Sequence, residues 1–375
     1  MNNERQSAAC RILLTVPNLD PTASPWREVM GLAKYLPRDR FRLTICALRP
    51  KGVEESTPLL QEMGVECFVA RFRPKGFALR RLLGSVRDRK CLRDHGPFDL
   101  QHSMDFTSSP FEALMSRGHV RAFLFSQSNM NENGSRPGLK LKAWLSQKII
   151  CISDATLRLM GKLARPTKLV KIYPGIETDC ISWRPPSREK GRPFRVLMVG
   201  HIQPRKRLED GIGAVQQLIP VCPEIQLQVA GRIVEAGYFE KLQQLVRGNG
   251  LEDHVKFLGL RMDVPELMRQ SDALLHAAES EAFGMVIIEA MAVGLPVIAP
   301  AIEGPKEIIE DQVSGLLVPP GEVGRYAEAI RALVKNPELS RQISATARKR
   351  VETCFTSRRM AQETAEVYAR LLADL

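Results

Sequence analysis

The sequence predicts an α/β protein built from two doubly wound, Rossmann-like domains. Three observations predict it. Short apolar runs alternate with segments of helical period, 375 residues exceed the usual size of one domain, and a polar, proline-rich stretch divides the alternation in two. With 44% hydrophobic and 26% charged residues the composition is ordinarily globular, which argues against disorder, collagen or a coiled coil.

The elements follow in chain order. Arg11–Val16 reads as a first strand, followed by a loop rich in Pro, Asn and Asp. Ser24 then caps a helix with Pro25 in its first turn. Phe41–Leu48, Cys67–Val69, Phe98–Gln101, Ala122–Phe125 and Lys148–Ile152 are further strand candidates. The character changes from Pro174 onward, and the turn-prone stretch Pro185–Pro193 marks the expected boundary. A second alternation opens at Phe194–Gly200, and its first helix carries Leu208, Ile212, Val215 and Ile219 on one stripe. Strands then recur at Ile225–Ala230, Val255–Leu258, Ala273–His276 and Pro296–Ala299. The expected domains are therefore residues 1–185 and 186–355, facing across a cleft; in such sheets ligands sit beyond the carboxyl ends of the strands.

Composition also bounds location and partners. The apolar runs fall short of the roughly 20 residues that span a bilayer, and the polar start Met1–Gln6 does not read as a signal peptide. A cytoplasmic location is expected. The eight cysteines are scattered without a Cys-x-x-Cys pair, and several sit in apolar strand-like runs, which reads as buried reduced thiols. A net charge of +12 favours an anionic partner. The basic stretch Arg71–Arg93, with interleaved Phe77, Leu79, Leu82, Leu83 and Val86, suggests an amphipathic helix suited to an anionic membrane surface, hence a peripheral position on its inner face. Only 6% of residues are aromatic and no aromatic–basic platform occurs, so nucleic acid is not the expected partner. Gly211-Ile-Gly213 lacks a third glycine and lies in a helical stripe, so it is no dinucleotide fingerprint.

The most informative segment runs from Glu279 to Ile298. A strand ends near Ala278, Gly284 follows, and a helix opens there whose unpaired N–H groups can hold a phosphate. Glu281 precedes that turn and Glu289 lies about 7 Å further along the helix, at ~1.5 Å per residue. Carboxylates on either side of a phosphate-binding turn can grip polyhydroxylated groups. Glu289 sits among Ile287, Ile288, Ala290 and Met291, which is not the setting of a solvated surface residue.

Glu281-(x7)-Glu289 with Phe283-Gly284 between resembles family 4 of the retaining nucleotide-sugar glycosyltransferases, whose fold is GT-B. So do Glu-Ala-Met-Ala-x-Gly-x-Pro-Val after it and Gly315–Pro319 beyond. Ile172–Glu177, Val199–Lys206, Val255–Gly259 and Phe355–Tyr368 resemble further landmarks of that family, the last a closing helix (residues 356–375) that returns to the first domain. The resemblance implies transfer of a hexosyl group, with retention, from a UDP- or GDP-sugar to a glycan, lipid-linked sugar or small molecule. Such a reaction belongs to cell-surface polysaccharide or glycolipid synthesis and needs no other cofactor. It implies that Glu289 binds the donor ribose, that Glu281 faces the transferred sugar, and that Phe283, Gly284, Met285 and Val286 line the donor. Gly200, Arg205 and Lys206 would form the phosphate loop, with Lys206 neutralising the leaving diphosphate. His102 matches one histidine of the family's His-x-His pattern near the reacting sugar; Met104 stands at the other position.

The chain departs from the pattern in places. His201 replaces the family's arginine after the loop glycine, with Arg205 the first candidate substitute and Arg207 a weaker one. Glu303–Glu307 keeps only the second glycine and the final glutamate of Gly-Gly-x-x-Glu, and Asp20–Ser24 replaces an acceptor-side Gly-Gly. No Asp-x-Asp pair occurs, so no metal is expected at the diphosphate. A sugar-nucleotide epimerase of the same fold, or a catalytically idle relative serving as a scaffold, is the alternative.

Overall fold

A computed structural model describes residues 9–21, 24–70, 90–130, 136–179, 181, 183 and 191–375. Most of the basic Arg71–Arg93 stretch thus lies outside the described residues. The chain divides into two units: Met1–Glu177 joined by Ser357–Leu375, and Thr178–Thr356. The division falls ahead of the Pro185–Pro193 stretch, directly after the Ile172–Glu177 strand end.

The first unit is a seven-stranded parallel sheet. Its strands are β1 (Cys10–Val16), β2 (Phe41–Ala47), β3 (Glu66–Val69), β4 (Phe98–Ser103), β5 (Val120–Gln127), β6 (Lys148–Cys151) and β7 (Leu169–Lys171), ordered β3-β2-β1-β4-β5-β6-β7. Parallel strands covered by helices are buried on both faces and mostly apolar, as here apart from polar residues such as those of β1 and β4. Ile12, Leu14, Leu100 and Leu124 pack with Val29 and Leu32 of the helix Ser24–Tyr35 and with Met360 and Tyr368 of the C-terminal helix Ser357–Ala373. Phe123, Phe125, Ile149 and Cys151 pack with Ala113, Leu139, Ala143 and Met160. Each fully buried Val, Leu, Ile, Phe or Met among them stabilises the fold by roughly 1.5–3 kcal/mol. The C-terminal helix is tied in further by the Ser357 amide, which donates to the Ile176 carbonyl at 2.9 Å.

A polar layer lies beside β1 and β4. The buried Glu112 carboxylate accepts from Gln101 Nε2 at 2.9 Å, from Ser103 Oγ at 2.7 Å and from the Thr15 hydroxyl. Lys142 is fully buried; its ammonium donates to the Asp105 carbonyl at 2.8 Å and sits 4.7 Å from the Phe125 ring centroid.

The second unit is a six-stranded parallel sheet: β8 (Arg195–Val199), β9 (Gln226–Ala230), β10 (Val255–Gly259), β11 (Ala273–Leu275), β12 (Val297–Pro300) and β13 (Leu316–Val318), ordered β10-β9-β8-β11-β12-β13. The stripe Leu208, Ile212 and Val215 of the helix Leu208–Leu218 is buried against Met198, Leu275 and Tyr326 of the same core. In both units the chain winds outward one way, then returns to the strand beside its first: β4 beside β1, β11 beside β8. That reversal opens a crevice at the carboxyl ends of the two central strands. The described cysteines are free thiols, and among the described residues no helix is long and apolar enough to cross a membrane.

Glu28, on the helix Ser24–Tyr35, is buried, and burial pushes its carboxyl up to about 7 from 4.5. The folded state therefore holds this proton more tightly than the unfolded chain. Its favourable contribution is complete below about pH 4.5 and lost as pH rises through 7. Glu28→Gln removes that loss, so the variant should gain about 3 kcal/mol over the parent between pH 4.5 and 8. Chemical denaturation across that range checks it; a constant difference between the two proteins contradicts the assignment.

Candidate functional site

The second unit's switch point brings together the loops that follow β8 and β11. After β8, Gly200 donates its amide to the Ala230 carbonyl at 3.0 Å, and the chain closes a tight turn, Pro204–Lys206. Arg207 takes a left-handed φ of 46°, which an L side chain adopts at a cost. Its guanidinium offsets that cost by a two-pronged bond to the buried Asp210, Nε to Oδ2 at 2.7 Å and Nη2 to Oδ1 at 2.9 Å. Arg207 is thereby committed to shaping the turn, and Lys206 and Arg205 are left at its apex.

The loop after β11 is laced to that apex. The Glu279 amide donates to the Arg205 carbonyl at 3.0 Å, and Arg205 Nη1 donates to the Ser280 carbonyl at 2.7 Å. Lys206 Nζ donates to Glu281 Oε2 at 2.7 Å, both side chains about six-sevenths buried. His276 Nε2 stands 3.5 Å from the same oxygen. Burial alone would raise the Glu281 carboxyl, but Lys206 and then His276 outweigh it and hold the group well below the usual carboxylate range. Burial lowers the His276 imidazole, against the raising influence of Glu281.

The turn Glu281–Gly284 leads into the helix Met285–Val293. Gly284 adopts φ 115° and makes no side-chain cap bond at the start of the helix. The Phe283 ring turns inward against Phe355, 5.6 Å between centroids at 71°, leaving the backbone of 283 and 284 as its contribution to the site. Met285, Val286 and Glu289 are half-buried, and Glu289 is the one charged residue in an otherwise apolar helix. The glycine retained at 304 has a steric reason. A Cβ there would lie 2.6 Å from the carbonyl oxygens of both Glu281 and Phe283, so the helix Glu303–Ile308 can abut the turn only with hydrogen at that position.

The sequence-predicted residues Gly200, Arg205, Lys206, Glu281, Phe283, Gly284, Met285, Val286 and Glu289 thus belong to one unit, on the segments that follow β8 and β11, and Lys206 and Glu281 are in direct contact. His102 belongs to the other unit and is 2% exposed. Its Nδ1 shares a 2.6 Å hydrogen bond with the Tyr368 hydroxyl and its Nε2 a 2.7 Å bond with Ser126 Oγ. Burial, then the charge of Lys142, push the ring down to about 3. With both nitrogens engaged in the interior, His102 anchors the C-terminal helix; the geometry does not present it to a sugar. His276 joins this site although no sequence motif marks it. Its one sequence signal is a lone imidazole ending an apolar strand ahead of the glutamate turn.

Two parallel α/β units, each with its switch point, define the GT-B architecture of glycosyltransferases. HepE of Anabaena, solved with UDP and glucose, superposes with a TM-score of 0.81 over 96% of this chain and 100% of its own, at 23% identity. WaaG, a glycosyltransferase of lipopolysaccharide biosynthesis, superposes at 0.69 over 95% of this chain and 99% of its own, at 19% identity. Residues 27–180 match the model described as Glycosyltransferase Family 4, and residues 181–350 that of Glycosyl transferases group 1. The chain belongs to glycosyltransferase family 4. A D-inositol 3-phosphate glycosyltransferase of Mycobacterium bovis is 32% identical over 66% of this chain and 56% of its own length. An N-acetyl-alpha-D-glucosaminyl L-malate synthase of Bacillus anthracis is 32% identical over 43% of each. The chain spans about half the length of the curated relatives it matches.

Gly304→Ala tests the packing that fixes the glutamate turn. The added methyl forces backbone apart, and the protein should lose about 1–3 kcal/mol of stability. An unchanged thermal melt would show that the turn yields freely.

Proposed function

We propose that the protein is a retaining glycosyltransferase that moves a hexosyl group from a nucleoside diphosphate sugar to a glycan, lipid-linked or small-molecule acceptor. The observation that carries this reading is the convergence of Lys206, Arg205 and an uncapped helix N-terminus at the switch point of the second sheet. That places two cations beside the positive end of a helix dipole, with Lys206 held there by Glu281. The solved complexes of HepE with UDP and with UDP-glucose support a nucleotide sugar as donor.

In this reading the diphosphate lies against the amides of Phe283, Gly284 and Met285, and Glu289 accepts hydrogen bonds from the ribose hydroxyls. Glu281 faces the transferred sugar. As the glycosidic bond breaks, negative charge accumulates on the departing diphosphate. Lys206 and Arg205 neutralise it there, in place of a metal ion. The leaving phosphate takes the acceptor's proton on the face it vacates, which keeps the anomeric configuration.

Lys206→Ala should lower donor-dependent transfer about 100- to 1000-fold, and Glu289→Ala should weaken donor binding about tenfold. Thermal-shift titration with UDP-, GDP- and ADP-sugars, followed by product analysis with and without acceptor, measures both. Turnover of donor without acceptor would favour the epimerase reading, and donor binding without turnover the scaffold.

We propose further that the protein works at an anionic membrane surface. In addition to the basic Arg71–Arg93 stretch, the helix Arg136–Leu145 exposes Trp144 (67%) and Leu141 (40%) beside exposed Arg136 and Lys140. An exposed tryptophan among cations suits the headgroup region. Lys140→Gln should lower partition into phosphatidylglycerol vesicles about fivefold, and Trp144→Ser should lower it further. Equal sedimentation with neutral and anionic vesicles contradicts the proposal.

A further inference from the structure

His276 is 4% exposed, and its Nε2 has no hydrogen-bond partner of ordinary geometry although it is fully enclosed. It lies 3.5 Å from Glu281 Oε2, an atom that already accepts from Lys206 at 2.7 Å. The charged groups that act on the ring are Glu281, Lys206 and, more weakly, Arg205. In this state Lys206 and Glu281 cancel, and a proton added to His276 would be a second cation against a single carboxylate. Burial keeps the imidazole neutral.

Donor binding changes that balance. A diphosphate brings two negative charges to the apex where Lys206 sits, and an ammonium drawn toward them loosens its 2.7 Å contact with Glu281. Breaking a buried ion pair without replacing the lost partner is strongly destabilising. Resting on the donor-site reading above, we infer that His276 is a positioning residue that replaces Lys206: as the donor binds, its Nε2 takes one proton from solvent and becomes the cation that holds Glu281, releasing Lys206 to the diphosphate. Before binding, the site holds Lys206⁺–Glu281⁻ and a neutral imidazole. Afterwards it holds Lys206⁺–diphosphate and His276⁺–Glu281⁻, with one solvent proton consumed in forming the Nε2–H bond and no bond between heavy atoms changed. The enclosed, unpartnered nitrogen acquires its partner in the second state.

Proton uptake makes donor binding tighten as pH falls, by up to tenfold per pH unit while the free ring is neutral and the bound one charged. The probe is an intact sugar nucleotide, whose phosphodiester groups do not titrate near neutrality. UDP-glucose, GDP-mannose and ADP-glucose are tried in turn, and the tightest is titrated by calorimetry at pH 7.5 in buffers of different ionisation enthalpy. The dependence of the apparent enthalpy on the buffer should give about one proton taken up per donor bound, with Kd rising about tenfold between pH 7 and 8. His276→Gln keeps an amide donor for Glu281 but cannot charge, and should bind with no net proton and a flat Kd over that range. Binding by the unaltered protein with no proton uptake overturns the inference and leaves the donor site standing, whether or not the variant folds. So does an unchanged pH dependence in His276→Gln. Failure of all three sugar nucleotides to bind removes the donor reading and this inference with it.

Discussion

One carboxylate oxygen organises the second unit's functional end. Glu281 Oε2 accepts the Lys206 ammonium and lies within reach of His276, and through these groups the loops after β8 and β11 become one rigid surface. The backbone bonds between Arg205 and residues 279 and 280 run in parallel with the ion pair. Everything needed to aim Lys206 follows from this lacing: a left-handed Arg207 paid for by Asp210, a glycine where two carbonyls approach position 304, and a phenylalanine turned inward beneath the turn. A low-dielectric setting strengthens the pair, yet it also raises the cost of leaving either partner alone. Binding an anion here is therefore an exchange of partners rather than the filling of a gap.

The first unit carries its own buried polar network. Glu112 binds Thr15, Gln101 and Ser103, and Lys142 binds the Asp105 backbone. These bonds fix the residues just beyond the carboxyl ends of β1 and β4, the switch point of that sheet. His102 extends the layer to the C-terminal helix through Tyr368, so the last residues of the chain are cemented to the first sheet by a polar bond as well as by apolar packing.

The strand–helix alternation was plain in the sequence because parallel strands buried on both faces must be short and apolar, and the stripe of Leu208, Ile212 and Val215 has only one way to face a sheet. The glutamate turn was legible for a similar reason: its glycine, its two acids and its apolar helix leave little freedom of placement. Polar burial was not. On the helix Arg136–Leu145 the lysine at 142 is fully buried and the tryptophan at 144 exposed, the reverse of what side-chain polarity alone implies. His102 and His276 are alike in sequence, each a lone imidazole at a strand end. Only three-dimensional neighbours distinguish them: a tyrosine and a serine satisfy one, and a shared carboxylate faces the other.

The most direct test of the central claim is a crystal structure with a bound sugar nucleotide. The account predicts Lys206 Nζ about 2.7–3.0 Å from a diphosphate oxygen, no longer on Glu281, with His276 Nε2 drawn in to the carboxylate. A diphosphate lodged elsewhere, or a Lys206–Glu281 pair left intact beside it, would contradict the account.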